Sequence, residues 1–304
     1  MGGGPNWGRR RPSRKVDGIR SLAQTLHVAS KKTSLVGRGE EIEKIKASLR
    51  LGRNLLIEGP VGVGKTYLVR EALKELGLDA VRVDGDSRYT EQKLTGWFDP
   101  PLVLKKGYSA DTFIPGPLVE AMRGGRILFI NELNRMPEGV QNILLPALDE
   151  HRIQVPHLGE IKAKKGFSVI GTQNPREFTA THALAEALLD RFEWVRLGYQ
   201  SEDEERAILQ SQSKAVLPVH LESVLRIVRA SRKHPAIKRG ASIRAGLAVC
   251  ELLGEGLPLE DACSMALASR IEALSPDDDL MQIIRDLISQ SVPDTLQKKN
   301  ETRL

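Results

Sequence analysis

Aromatic side chains make up only 4% of the 304 residues, and cysteine occurs twice. Cys250 and Cys263 cannot build a disulfide framework in a chain of this length and suit a reducing compartment. Lying 13 positions apart within a helical region, they are expected to be packing residues. No apolar run approaches the ~18 residues that a membrane helix needs, so no spanning segment is expected. The basic start, MGGGPNWGRRRPSRK, has no apolar stretch behind it. That argues against a secretory leader, and a cytoplasmic location is expected. The six histidines show no metal-ligand spacing, and no Ser–His–acid or paired-carboxylate arrangement stands out.

What remains is a chain with 40% apolar and 28% charged residues, enough for one large or two modest domains. The net charge of +6 is concentrated at the ends. Residues 1–20 carry a net +5 through Arg9, Arg10, Arg11, Arg14, Lys15 and Arg20 against Asp17, and residues 298–304 add +2. The body between them is close to neutral, at −1. Residues 1–20, rich in Gly, Pro and Arg without apolar periodicity, are expected to be a disordered basic arm, and 293–304 a C-terminal tail.

From about Leu35 the composition is globular. Helical spacing in EEIEKIKASL precedes short apolar strands at NLLIE (54–58), AVRVD (80–84), RILFIN (126–131), GFSVIGT (166–172) and EWVRL (193–197), with a helix at about 137–150. Strands alternating with helices predict an α/β domain over 21–198, a parallel sheet with helices on both faces. After Gly198 the pattern is helical. Ser201 and Glu204 suit a capping box, Leu221, Val224, Leu225 and Val228 form a stripe, and Pro258 suits a helix start. Ser275-Pro276-Asp277-Asp278 suits the opening of a last helix, and residues 199–292 are expected to be a small all-helical domain.

The strongest chemical signal is Gly59-Pro60-Val61-Gly62-Val63-Gly64-Lys65-Thr66, a match to G-x-x-x-x-G-K-[ST] between a strand and a helix. Its glycines let successive backbone N–H groups converge on one anion, and the next helix adds the positive end of its dipole. Lys65 would reach the β- and γ-phosphates, and the Thr66 hydroxyl would ligate Mg²⁺. Strand 126–131 ends in Asn131-Glu132. Glu132 is the candidate general base that polarises water. Asn131 can hold a metal-bound water by its amide but brings no negative charge.

In order along roughly residues 20–292, these segments resemble the MoxR-type AAA+ ATPases. The phosphate loop is common to many families. The sharper match is Phe129-Ile-Asn-Glu-Leu-Asn-Arg-Met-Pro137, a helix ending LLPALDEHRI, and Gly171-Thr-Gln-Asn-Pro175. Phe113-Ile-Pro-Gly-Pro117, Leu188-Leu-Asp-Arg-Phe192, Leu35-Val-Gly-Arg38 and Gly240-Ala-Ser-Ile-Arg-Ala245 sit where the family places corresponding segments. Asn131 departs from the family pattern, where an Asp is usual, and this bears on Mg²⁺ affinity and turnover.

The resemblance implies a P-loop NTPase fold with a helical lid, ATP and Mg²⁺ as ligands, and a hexameric ring. It places Val36 and Gly37 on the adenine side, Asn174 as the sensor that holds water or γ-phosphate, and Arg244 as a second sensor from the lid. Arg191 matches the arginine finger that reaches a neighbouring subunit's nucleotide, and such fingers are worth roughly 10³–10⁵ in rate. Arg135 is a further candidate for an intersubunit contact. On the residues alone, Asn174 could cap a turn, and Arg191 or Arg244 could be surface charges.

Two insertions, about 86–117 and 151–166, correspond to segments that related rings place at the pore or on one face. The first holds Trp97, Phe98, Pro100 and Pro101 ahead of Lys105-Lys106; the second holds His151, Arg152, His157, Lys162, Lys164 and Lys165. By resemblance the partners would be a protein client and an adaptor with a von Willebrand factor A domain, and the work would be remodelling or maturation. A nucleic-acid motor is the alternative, weakened by the near-neutral body, although the basic arm could bind nucleic acid or acidic lipid. A nucleotide-responsive scaffold with slow hydrolysis is a third reading, raised by Asn131.

Overall fold

Buried apolar triplets and quartets fix the centre of the molecule. In the computed structural model, which describes residues 24–25, 36–174, 183–213 and 216–292, they become the strands of one sheet. The basic arm 1–20 and the tail 293–304 lie outside the described residues.

In chain order, β1 (Gln24–Thr25) precedes α1 (Gly39–Arg50), β2 (Leu55–Glu58), α2 (Lys65–Leu76) and β3 (Ala80–Asp84). Then come α3 (Glu91–Thr95), β4 (Gly96–Phe98), α4 (Pro100–Lys106), β5 (Phe113–Pro115), α5 (Pro117–Gly124) and β6 (Ile127–Asn131). Helices α6 (Glu138–Asn142) and α7 (Leu144–Asp149) lead to β7 (Arg152–Val155), β8 (Gly159–Lys162), β9 (Ser168–Gln173), α8 (Glu186–Leu189) and β10 (Glu193–Arg196). The remainder is α9 (Glu202–Gln212), α10 (Pro218–Ser231), β11 (Ile237–Arg239), α11 (Ile243–Gly254), α12 (Leu259–Leu267), β12 (Glu272–Ala273) and α13 (Leu280–Ser291).

The sheet runs β1-β3-β6-β9-β2-β10, with the last five strands parallel and β1 antiparallel on the edge. Alternate residues feed opposite faces, as the two-residue period of a strand requires. Leu56, Val81, Val83, Leu128, Ile130 and Val169 share one core with the α5–α7 side. Leu55, Ile57, Ala80, Ile127, Phe129 and Ile170 share the other with α1 and α2. This is the two-face covering that predicts uninterrupted apolar strands.

Beyond Gly198 a third core joins Leu209, Val224, Val228, Val249, Cys250, Cys263 and Ile284 from α9 to α13. The Ser201 capping box forms: its hydroxyl accepts from the Glu204 N–H, and its own N–H donates to Glu204 Oε2 at 2.8 Å. Both cysteines are free and buried in this core. Burial pushes the Cys263 thiol up to about 12 and raises that of Cys250.

Three sequence expectations are corrected. The 199–292 region is not all-helical, because β11 and β12 form a small antiparallel ribbon. Its strands are too short for a periodic signal; the Leu274 N–H bond to the Ala236 carbonyl and the Lys238–Glu272 ion pair (both 2.8 Å) hold it. The helix expected at 137–150 is divided at Ile143 into α6 and α7. Pro146 has no N–H for the Asn142 carbonyl, and its ring crowds that turn. The last helix is opened by Asp279, whose carboxylate accepts from the N–H groups of Met281 and Gln282, whereas Ser275–Asp278 form a turn ahead of it.

The two insertions fold into hairpins, β4–β5 and β7–β8. The rings of Phe98, Tyr108, Phe113 and His157 join them: Phe98 meets Tyr108 and Phe113 edge-on at 5.0 and 5.1 Å, and Tyr108 stacks on His157 at 4.2 Å. Phe98 is thus used in packing.

Candidate functional site

The chain leaves β2 in a tight turn and re-enters helix at Lys65. Gly62 (φ 81°) and Gly64 (φ 92°) take left-handed conformations there, and a Cβ on Gly62 would overlap Ser242 Oγ of the helical part. Glycine is therefore required twice over at position 62, by the turn and by the close approach. Val63 anchors the loop in the core beneath. Lys65 Nζ donates to the carbonyls of Gly59 (2.6 Å) and Pro60 (2.9 Å), which places its ammonium inside the loop.

The loop and the helical part enclose a cavity of about 430 Å³. That lies in the ~300–1,000 Å³ range of small-molecule sites. Val36, Tyr67, Leu68, Ile243 and Leu247 give it apolar walls, Gly62 and Gly64 one end, and Arg244 a cationic group. Arg244 sits on the first turn of α11, is exposed, and forms no ion pair among the described residues. The Val36 carbonyl accepts from Gln200 Nε2 at 2.7 Å, and Gly37 lies against the Glu204 side chain. Pro60 and Val61 belong to the turn itself, with Val61 exposed.

A polar network lies under the loop at the ends of β6 and β9. Thr66 Oγ1 donates to Asn131 Oδ1 at 3.1 Å, and the fully buried Thr172 donates to the same oxygen at 3.0 Å. Thr172 Oγ1 also accepts from the Glu132 N–H at 2.9 Å. On its other side, Asn131 Nδ2 donates to Asp84 Oδ1 at 2.9 Å. Glu132 is in the left-handed region (φ 58°) and pairs with Arg135 at 2.8 Å. Arg135, a candidate for an intersubunit contact, also pairs with Glu132 within the chain.

Asn174 is buried just beyond β9, where its carbonyl accepts from Asn134 Nδ2 at 3.4 Å. Pro175 lies outside the described residues. Arg191 follows α8 and is held by Asp149 at 2.5 Å and by the Ala187 carbonyl. The hydrogen bond that its guanidinium donates to the Asp149 carboxylate raises its pKa further and keeps it protonated. Within one chain, Arg191 is thus engaged away from the network around Thr66. Sequence reasoning missed Thr172 and Asp84. Thr172 stands inside the Gly171–Pro175 motif, and Asp84 ends the strand beside β6, but only the strand order joins them to Asn131.

With this geometry in view, residues 54–192 match the family model of the AAA domain (dynein-related subfamily). An uncharacterized protein of Staphylococcus epidermidis is 30% identical over 236 residues, covering 76% of this chain and 89% of the relative. The chain belongs to the AAA+ family. A similar fold occurs in NtrX of Brucella abortus, with a TM-score of 0.54 at 17% identity over 85% of this chain and 61% of that one. A second NtrX structure, in complex with ADP, gives a TM-score of 0.51 at 14% identity over 83% and 60%. Both show a shared fold. No helix among the described residues is long and apolar enough to cross a membrane.

Proposed function

We propose that this AAA+ chain is a MoxR-type ATPase that hydrolyses ATP to ADP and phosphate within a hexameric ring and remodels or activates a protein client. The observation that carries the reading is the cavity lined by Gly62 and Gly64 of the phosphate loop and by Ile243, Leu247 and Arg244 of the helical part, where Arg244 forms no ion pair among the described residues. A ligand filling it touches both parts at once, so its phosphate state is felt as a change in their relative position.

In this reading Lys65 exchanges the Gly59 and Pro60 carbonyls for phosphate oxygens, and the loop's N–H groups hold the rest of the anion. Glu132 takes the proton from the attacking water, with Arg135 setting its carboxylate. Asn174 orients that water, Arg244 reaches the γ-phosphate from the helical part, and Arg191 completes a neighbour's site after leaving Asp149. Thr66, Asn131 and Asp84 are all hard oxygen donors, the chemistry that Mg²⁺ selects. Thr66 would hold the ion directly and Asn131 through a water; bound there, it would neutralise charge on the β- and γ-phosphates.

Capture by a Glu132→Gln variant tests the reading. With ATP this variant is expected to retain a protein client, and an adaptor with a von Willebrand factor A domain, that wild type releases. Sedimentation with ATP is expected to show the ring. Recovery of nothing but nucleic acid would overturn the remodelling role in favour of a nucleic-acid motor. Absence of single-turnover hydrolysis in wild type would leave a nucleotide-responsive scaffold.

A further inference from the structure

Asn131 raises the question of where the negative charge beside the bound cation comes from. We propose that Asp84, at the end of the neighbouring strand β3, supplies it, with Asn131 as a neutral coupler between Asp84 and Thr66. The inference rests on the ATP-binding reading above.

The hydrogen bonds fix the orientation of the coupler. A carboxylate only accepts, so the face of Asn131 toward Asp84 must be its NH₂, and its oxygen must face Thr66 and Thr172. Because Thr66 donates its proton to that oxygen, the lone pairs of its own hydroxyl stay available to a cation. Asp84 and Asn131 are direct partners in the parallel β3–β6 register. Just beyond them, the Gly85 N–H bonds the Asn131 carbonyl at 2.7 Å. A Cβ on Gly85 would overlap the Glu132 carbonyl, so the strand ends close together only because position 85 is glycine.

Glu132 is paired with Arg135, which leaves Asp84 as the carboxylate joined by hydrogen bonds to Thr66 through one side chain. Its Oδ1 accepts from Asn131 and Arg82, whereas Oδ2 makes no hydrogen bond with the described residues. The side chain is 57% exposed on the open end of the sheet. A second carboxylate at position 131 would lie at hydrogen-bond distance from this one, where like charges resist joint ionisation. Asn at 131 and Asp at 84 are therefore a matched pair with the charge moved one strand over. Groups of this second layer typically change metal affinity about 10–100-fold.

The test is the affinity of a fluorescent ADP analogue for the full chain with Mg²⁺ and with EDTA, alongside Mn²⁺ binding by electron paramagnetic resonance. Wild type is expected to bind more tightly with Mg²⁺. Asp84→Asn, checked for folding by circular dichroism, is expected to lose about tenfold or more of that enhancement while its affinity in EDTA holds. Arg82→Gln, which removes only the other partner of Asp84, is expected to keep the enhancement. The exchange Asp84→Asn with Asn131→Asp is expected to bring it back toward wild type. Equal enhancement in wild type and Asp84→Asn overturns the assignment, as does an exchange variant that folds yet fails to recover. Wild type that binds no nucleotide in either condition overturns the ATPase reading itself and the assignment with it.

Discussion

Replacing Glu205 by alanine removes the carboxylate that two arginines share inside the helical part. Glu205 is 1% exposed; it accepts from Arg232 at 2.7 and 3.1 Å and from Arg229 at 2.9 Å. Arg229 keeps a second partner in Glu202 at 3.3 Å and is partly solvated. Arg232 is only 11% exposed and keeps the Ala241 carbonyl and the face of the Tyr199 ring, 3.9 Å away, but no other carboxylate among the described residues. The loss is therefore mainly one buried, uncompensated guanidinium. Breaking a buried pair costs about 3–5 kcal/mol, and the contacts Arg232 retains point to the lower end, about 3. If the helical part melts as its own unit, at roughly 4–8 °C per kcal/mol, the midpoint falls by about 12 °C or more; if it melts with the sheet, by about half of that. Scanning calorimetry measures this directly. Glu202→Ala, which removes an exposed partner, should cost below about 1 kcal/mol. A Glu205→Ala midpoint within about 2 °C of wild type would refute the reasoning, because it would mean the buried charge finds solvent at little cost.

Gly62→Ala places a methyl group against Ser242 and strains a left-handed residue. It is expected to weaken nucleotide binding by about tenfold, at ~1–2 kcal/mol of strain, and Ser242→Gly should relieve only the overlap component, as titration of a fluorescent nucleotide would show. Burial holds the Cys250 and Cys263 thiols in the protonated state, so iodoacetamide at neutral pH should label neither until the protein unfolds, read by mass spectrometry of pulse-labelled samples. Burial, with Asp84 adding to it, pushes the Tyr89 phenol from 10.0 up to about 12. Its contribution to stability is full below pH 10 and is lost as pH rises toward about 12, because the unfolded state ionises first. Tyr89→Phe should flatten the alkaline fall of the urea midpoint across that window; an unchanged slope would remove Tyr89 as its source.

The phosphate loop and the parallel strands were legible in the sequence because each is written in contiguous residues. Gly62 and Gly64 stand where the turn needs positive φ, and Leu55, Leu56 and Ile57 are apolar on both faces of a covered sheet. The ribbon of β11 and β12 was not legible, since a few half-exposed residues carry no period. The division of the 137–150 helix was written at Pro146, whose effect falls a turn earlier, on Asn142. The network around Asn131 escaped for a different reason. Thr172 and Asp84 lie 41 and 47 positions from it along the chain, and only the order β3-β6-β9 makes them neighbours. Arg135 was singled out as a candidate for an intersubunit contact, and within the chain it pairs with Glu132, three residues away.

The cluster of Phe98, Tyr108, Phe113 and His157 bears on how force passes through the molecule. His157 stands at the tip of the β7–β8 hairpin, and Phe98 and Phe113 face each other across β4–β5. Rings in contact at 4.2–5.1 Å cannot slide apart without exposing apolar area, so the two hairpins behave as one stiff prow. The second hairpin is also tied to the end of α5 through the Lys164 N–H and the Met122 carbonyl at 2.8 Å. A push on the second hairpin therefore reaches α5, which packs on β3 and on β6, the strand that ends in Asn131 just before Glu132.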